Sequence, residues 1–348
     1  MLINNQDKKE LEIQFEKEYQ KLNTQQKKAV DTIEGPVLVI AGPGTGKTQI
    51  LAARIAKILS AGVDVQAQNI LCLTYTDAGA IAMRKRLASF IGAAAHKVNI
   101  YTFHAFCNEV IQHHPEYFTK RESEPVSDLE TALFYQELLD NLPEGHILRK
   151  LRGDFYSEVK KLKSLFALMK KEDLSVPTLQ TYIQDYIVNL PETDGFFYKK
   201  NWNGFKAGDP KQKLIDAEIE KMNMLSAAVE LFPTFQAIML RENRYDFDDM
   251  ILWVIRAFKE NEILRLEYQE RFQYILVDEF QDTSGSQKEI LDMLTDYWGE
   301  DANLFVVGDD DQSIYEFQGA RLSNIVELYQ RYENKIEVIV LKENYRST

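Results

Sequence analysis

Cysteine is nearly missing from this chain: 348 residues hold two, Cys72 and Cys107. Two thiols cannot build a disulfide framework, and this pair has no metal-ligand spacing. Long apolar runs are missing too. Runs such as Val37 to Ala41 and Tyr274 to Val277 fall far short of the roughly 20 residues that cross a bilayer, so no membrane association is expected. The first ten residues include Asp7, Lys8, Lys9 and Glu10, with neither an apolar stretch nor a small-residue cleavage site. A cytoplasmic protein is therefore expected. An excess of basic charge is also lacking, because 41 Lys and Arg face 54 Asp and Glu, a net −13. That balance weighs against nucleic acid, whose phosphates are bound through Lys and Arg. Local basic clusters do occur at Arg84-Lys85-Arg86, Arg149-Lys150-Arg152, Lys160-Lys161-Lys163 and Lys170-Lys171. Each alone reads as a solvated helix face.

What is present is an ordinary globular mixture, 45% hydrophobic and 27% charged, in a chain longer than one core usually supports. Two domains, or one domain with a large insertion, follow. Short continuous apolar runs rich in β-branched residues lie at Val37–Ile40, Ile70–Leu73, Val98–Tyr101, Tyr274–Val277, Leu304–Val307 and Val338–Leu341. Helical periods such as Leu51, Ile55, Ile58 and Leu59 separate several of them. Buried strands alternating with helices predict an α/β fold with a parallel sheet covered on both faces. Between about residues 113 and 240 the strand signal vanishes. Leu129, Leu133, Leu138, Phe155, Val159, Leu162 and Phe166 recur at three- and four-residue spacing instead, which predicts an all-helical insertion. The expected layout is 1–112 and 241–348 for the α/β domain and 113–240 for the insertion.

The most informative segment is Ala41-Gly42-Pro43-Gly44-Thr45-Gly46-Lys47-Thr48, between a predicted strand and a predicted helix. It has the Walker A spacing, with Ala41 where the strict pattern starts on Gly. Glycines let backbone N–H groups turn in around phosphate, and the helix N-terminus adds a positive dipole end. Lys47 would reach the β and γ phosphates of ATP, and the Thr48 hydroxyl would ligate Mg²⁺. Ile275-Leu276-Val277-Asp278-Glu279 is a strand ending in two carboxylates, at the sheet edge where open α/β sheets bind ligands. Asp278 would hold the Mg²⁺ through water, and Glu279 would take the proton of an attacking water. Gln312, after the strand Leu304–Val307, is placed to feel the γ phosphate, although a solvated turn serves that acidic stretch equally well.

In order along the chain stand Leu22-Asn23-Thr24-Gln25-Gln26, the Walker A segment, Leu73-Thr74-Tyr75-Thr76-Asp77, Thr102-Phe103-His104-Ala105-Phe106, Asp246-Phe247-Asp248-Asp249, Val277 to Thr283, Val307 to Tyr315 and Glu343-Asn344-Tyr345-Arg346-Ser347-Thr348. This series resembles the motifs of the UvrD/Rep/PcrA-type superfamily 1 DNA helicases from residue 22 to the last. The resemblance implies a RecA-like P-loop NTPase sheet (domain 1A) interrupted by a helical domain 1B. It also implies an ATP-dependent helicase or translocase acting on single-stranded or forked DNA in repair or replication, with Mg²⁺ as cofactor and repair or replication proteins as conceivable partners. By the same resemblance Gln26 reads the adenine edge, Tyr345 stacks on the base and Arg346 touches the γ phosphate. Lys47, Asp278, Glu279, Gln312 and Arg346 form the catalytic set, and Gln312 couples the γ phosphate to DNA. Ala41 to Gln49, the last replacing the usual Arg, complete the nucleotide site. Thr74, Tyr75, Thr76, Thr102, Phe103, His104, Tyr315 and Phe317 fall on the single-strand track, where aromatics stack on bases without regard to sequence. For Phe103 and Phe106 core packing is the stronger reading.

The chain departs from the family at Phe317-Gln318-Gly319-Ala320, where Trp-Arg-Gly-Ala is usual, and at Asp77-Ala78 in place of Asn-Lys. Each change drops a cation from the DNA path. The resemblance also implies a second RecA-like domain with an arginine finger, so the chain reads as an N-terminal half that alone would turn over ATP slowly and unwind nothing. The helicase portion of a helicase-nuclease subunit, and a nucleotide-dependent binding module without turnover, remain as alternatives.

Overall fold

The computed structural model describes residues 13–61, 65–118, 123–151, 155–201, 204–309 and 322–345. They form two compact units, Met1–Phe118 with Met250–Thr348, and Thr119–Asp249. In chain order the strands are β1 (Val37–Ala41), β2 (Ile70–Thr74), β3 (Asn99–Thr102), β4 (Glu124–Pro125), β5 (Arg244–Tyr245), β6 (Tyr274–Val277), β7 (Leu304–Gly308) and β8 (Glu337–Leu341). Six of them make the sheet of the first unit, in the order β3-β2-β6-β7-β1-β8. Every pairing in it is parallel.

All six strands fall where the apolar runs predicted them, because β2, β6 and β7 are buried along their whole length and tolerate no polar alternation. Helices Lys47–Ser60 and Asp77–Ile91 pack on the sheet through a core that includes Val39, Ile55, Cys72, Leu87, Leu276 and Phe305. Register sets Ile40 beside Gly308, Leu73 beside Val277 and Thr74 beside Thr102. The carboxyl ends of the strands therefore share one edge, the ligand-binding edge of an open sheet. Both cysteines are buried, and burial pushes their thiols far above the ordinary range, which leaves them as packing residues. Among the described residues no helix is long and apolar enough to cross a membrane.

Arg54 is the largest side chain fully buried in this core, at 1% exposure. Its guanidinium donates to the carbonyls of Ala29 and Ile33, each at 2.8 Å, and to that of Thr32, closing the end of helix Thr24–Asp31. It also lies 4.3 Å from the centre of the Phe305 ring. Replacing Arg54 by Ala removes the donor from three carbonyls, one of them in a fully buried contact. A loss of about 3 kcal/mol or more is expected in denaturant unfolding, with partial recovery in Arg54→Lys.

The second unit is built from helices Asp128–Asp140, Phe155–Lys171, Val176–Asn189, Gln212–Glu230 and Phe232–Arg241. Their core is aromatic, with Tyr135 stacked on Phe235 at 4.4 Å and Phe166 beside both. It is not wholly helical as expected. β4 and β5 pair in parallel, Glu124 against Arg244, and Phe197 bridges Pro210. That pairing ties residues 244 and 245 to the second unit, whereas helix Phe103–His113 stays with the first. The two units divide at Phe118 and Asp249, a few residues beyond the 112 and 240 read from periodicity. The Asp246 to Asp249 motif is structural here. Asp246 and Asp249 accept each other's backbone N–H, and both pair with buried Lys170, at 2.7 and 2.9 Å.

Candidate active site

The loop after β1 turns through two residues in the left-handed region, Gly44 at φ 79° and Gly46 at φ 89°. Gly46 is also the N-cap of helix Lys47–Ser60, and a Cβ there would sit 2.9 Å from the Gln26 amide nitrogen. Conformation and close approach both demand glycine. The Thr45 hydroxyl donates to the Gly42 carbonyl at 2.8 Å. Ala41 and Thr45 are buried, so these two residues shape the loop from behind. Pro43, Gly44, Gly46, Lys47, Thr48 and Gln49 line a cavity of about 920 Å³, together with Glu279 and Tyr345.

Gln26 stands beside the Walker loop. It is buried, its Oε1 accepts from Asn23 N at 3.0 Å, and its Nε2 donates to the Thr45 carbonyl at 2.9 Å. The amide caps its own helix and braces the Walker loop. Tyr345 is held at the cavity mouth. Its N–H donates to the Gly44 carbonyl at 2.9 Å, and its hydroxyl accepts from Asn23 Nδ2 at 2.8 Å while donating to Glu343 at 2.6 Å. The ring stays 57% exposed, an open stacking face beside the phosphate loop.

Lys47 Nζ and Glu279 Oε2 lie 2.6 Å apart although 232 residues separate them in sequence. Glu279 occupies the left-handed region at φ 51°, a strained setting for a non-glycine residue and one that aims its carboxylate at the helix N-terminus. Gln281, buried, donates to Glu279 Oε2 at 2.9 Å, and its Oε1 accepts from Asp309 N at 2.9 Å. This residue had no role in the sequence reading; its signal was its place two residues after Glu279 within a recognised motif. Helix Asp77–Ile91 is the other omission. Its Ala82, Lys85, Arg86 and Ser89, at i, i+3, i+4 and i+7, also line the cavity. The cluster read as a solvated face thus carries the cations facing the site.

Among the described residues no three His, Cys, Asp or Glu side chains gather as a metal cage. A magnesium site needs none, since that ion is held by one or two carboxylates plus substrate phosphates and water. Thr48 on the cavity wall and Asp278, whose Oδ1 accepts from Glu279 N at 3.1 Å, fit that requirement. Burial, with the Glu279 charge second, pushes the Asp278 carboxyl from 3.8 up to about 6. The folded chain therefore holds this proton more tightly than the unfolded chain. The group's contribution to stability is complete below pH about 4 and is lost as pH rises through about 6. Asp278→Asn is accordingly expected to raise the melting temperature at pH 8 in chelator, by the equivalent of at most about 3 kcal/mol, and to leave it unchanged at pH 3. Thermal unfolding at the two pH values checks this.

On the neighbouring edge, Thr74 and Thr102 are adjacent across β2 and β3, and both are buried. Thr76 and Thr102 are helix N-caps, accepting from Gly79 N and Ala105 N. His104 is half-buried, whereas Tyr75 is 54% exposed at the end of β2. Phe103 is buried at 3% and cannot stack on a base; its place on the strand track is corrected to the core. Gln312, Tyr315, Phe317 and Arg346 lie outside the described residues.

The family model described as the UvrD/REP helicase N-terminal domain matches residues 22–333. The chain is 30% identical to the ATP-dependent DNA helicase PcrA of Bacillus subtilis over 332 residues, 94% of this chain and 38% of that protein. It is 29% identical to a probable DNA helicase II homolog of Mycoplasma capricolum, over 94% of this chain and 39% of that one. The chain belongs to the UvrD/REP helicase N-terminal domain family, with the parallel α/β sheet that its sequence predicted. It spans less than two-fifths of the length of these relatives.

Proposed function

We propose that the chain is the ATP- and single-strand-binding part of an ATP-dependent DNA helicase that works in the cytoplasm, in repair or replication. The observation that carries this reading is the meeting of Lys47 and Glu279 at the N-terminus of helix Lys47–Ser60. A phosphate-binding cation and a candidate general base share one contact, and the incoming triphosphate separates them. Lys47 moves onto phosphate, and Glu279, held by Gln281, accepts the proton of the attacking water. Thr48 and Asp278 would hold a magnesium ion, which would neutralise phosphate charge. Tyr345 receives the base, and Lys85 and Arg86 add positive potential along the cavity wall.

Tyr75 tests the DNA side of the reading. As an exposed stacking ring at the strand edge, it should contribute about 1 to 3 kcal/mol per base, so Tyr75→Ala should weaken oligo(dT) binding roughly 5- to 100-fold with no change in melting temperature. Fluorescence anisotropy measures it; unaltered affinity in the folded variant rejects Tyr75 as a DNA contact.

A further inference from the structure

The second unit carries a segment that neither its helical core nor the nucleotide site accounts for. Residues 194–213 hold five lysines against two aspartates in a chain of net charge −13. The backbone doubles back on itself: Tyr198 N donates to the Asp209 carbonyl at 2.9 Å, Gly208 N to that of Tyr198 at 2.8 Å, and Lys211 N to that of Phe196 at 2.7 Å. Both acids are spent within the fold. Asp194 pairs with Lys199 at 2.7 Å, and Asp209 accepts from Lys206 N at 2.7 Å.

Two aromatic rings are stacked on this hairpin. Tyr198 and Phe205 lie 4.6 Å apart and 11° from parallel, with Lys211 Nζ 5.6 Å from the Tyr198 ring centre. Lys211 also donates to the Gly195 carbonyl at 2.9 Å, which fixes the stack from behind. Phe205 remains 45% exposed. Lys200, Lys206 and Lys213 form no side-chain ion pair among the described residues, and all three are exposed. A loop that served only solubility would need the charge but not an ordered ring stack with an open end.

We propose that Phe205, Lys200 and Lys206 form a second nucleic-acid contact, on which one base of an unpaired strand stacks against the open side of Phe205 while the flanking phosphates meet Lys200 and Lys206. An unpaired strand is the occupant that fits, because only there is a base face free beside a phosphate repeat. Recognition is independent of base identity, since every base has a stacking face. The inference takes from the proposed function only that the protein meets single strands, and it uses neither the ATP site nor Tyr75.

The test is oligo(dT) binding by the whole chain, with heparin as a polyanion that has phosphate-like charge and no bases. Phe205→Ala should raise the oligo(dT) dissociation constant about 5- to 100-fold and leave heparin unaffected, and Phe205→Trp should restore binding. Lys200→Ala with Lys206→Ala should weaken both ligands and lower the slope of log affinity against log salt for oligo(dT) by about 1.4. Phe205→Ala binding oligo(dT) as tightly as the parent, at an unchanged melting temperature, overturns the proposal. If Tyr75→Ala alone then weakens binding, the DNA reading of the first unit stands without this one; if neither ring matters, both fail.

Discussion

Glu279→Gln is expected to cut ATP turnover by about 10² to 10⁴-fold, the usual worth of a positioned general base, while nucleotide affinity stays the same or rises slightly. The amide keeps the shape of the side chain and its contact with Gln281 but cannot take a proton. It also frees Lys47 from an ion pair at 2.6 Å that otherwise has to be broken before phosphate is bound. Phosphate release at saturating ATP, with and without single-stranded DNA, gives the rate, and calorimetry gives the affinity. Turnover within tenfold of the parent would show that another group activates the water.

Lys47→Ala should act at the earlier step. Its side chain is 10% exposed, so little water competes for it, and its loss removes a charge-assisted contact of about 1.5 to 3 kcal/mol, or roughly 10- to over 100-fold in ATP affinity. Without the cation, Glu279 loses its ion-pair partner beside Asp278. The Asp278 carboxyl, which Lys47 holds down against burial, should rise further. The two variants thus separate binding from chemistry: one loses affinity, the other loses rate. Equal nucleotide affinity in Lys47→Ala and the parent would end the assignment of the Walker loop.

The strands were legible because a strand buried on both faces leaves an unbroken apolar run, and Tyr274–Val277 or Leu304–Val307 can be little else at that length. Their order was not legible. β2 and β6 are neighbours although the whole second unit intervenes between them, and only tertiary packing sets that adjacency. The site was readable where one residue type has few uses: Lys47 after a glycine loop, Asp278 and Glu279 after an apolar strand. It was opaque where common residues act through position. Gln281 matters because its amide reaches two strand ends, and Lys85 and Arg86 because the register of helix Asp77–Ile91 turns them toward the cavity. Gln26 shows the converse. Its motif was recognised, but what its amide touches depends on a fold that brings Thr45 within 2.9 Å.

The Gln281 amide has one more implication. One end holds the carboxylate that would activate water, and the other holds the backbone of Asp309, where β7 gives way to residues 310–321. A planar amide bonded at both ends ties the carboxylate to the strand beside it, so a substitution at Gln281 should disturb Glu279 and the end of β7 together.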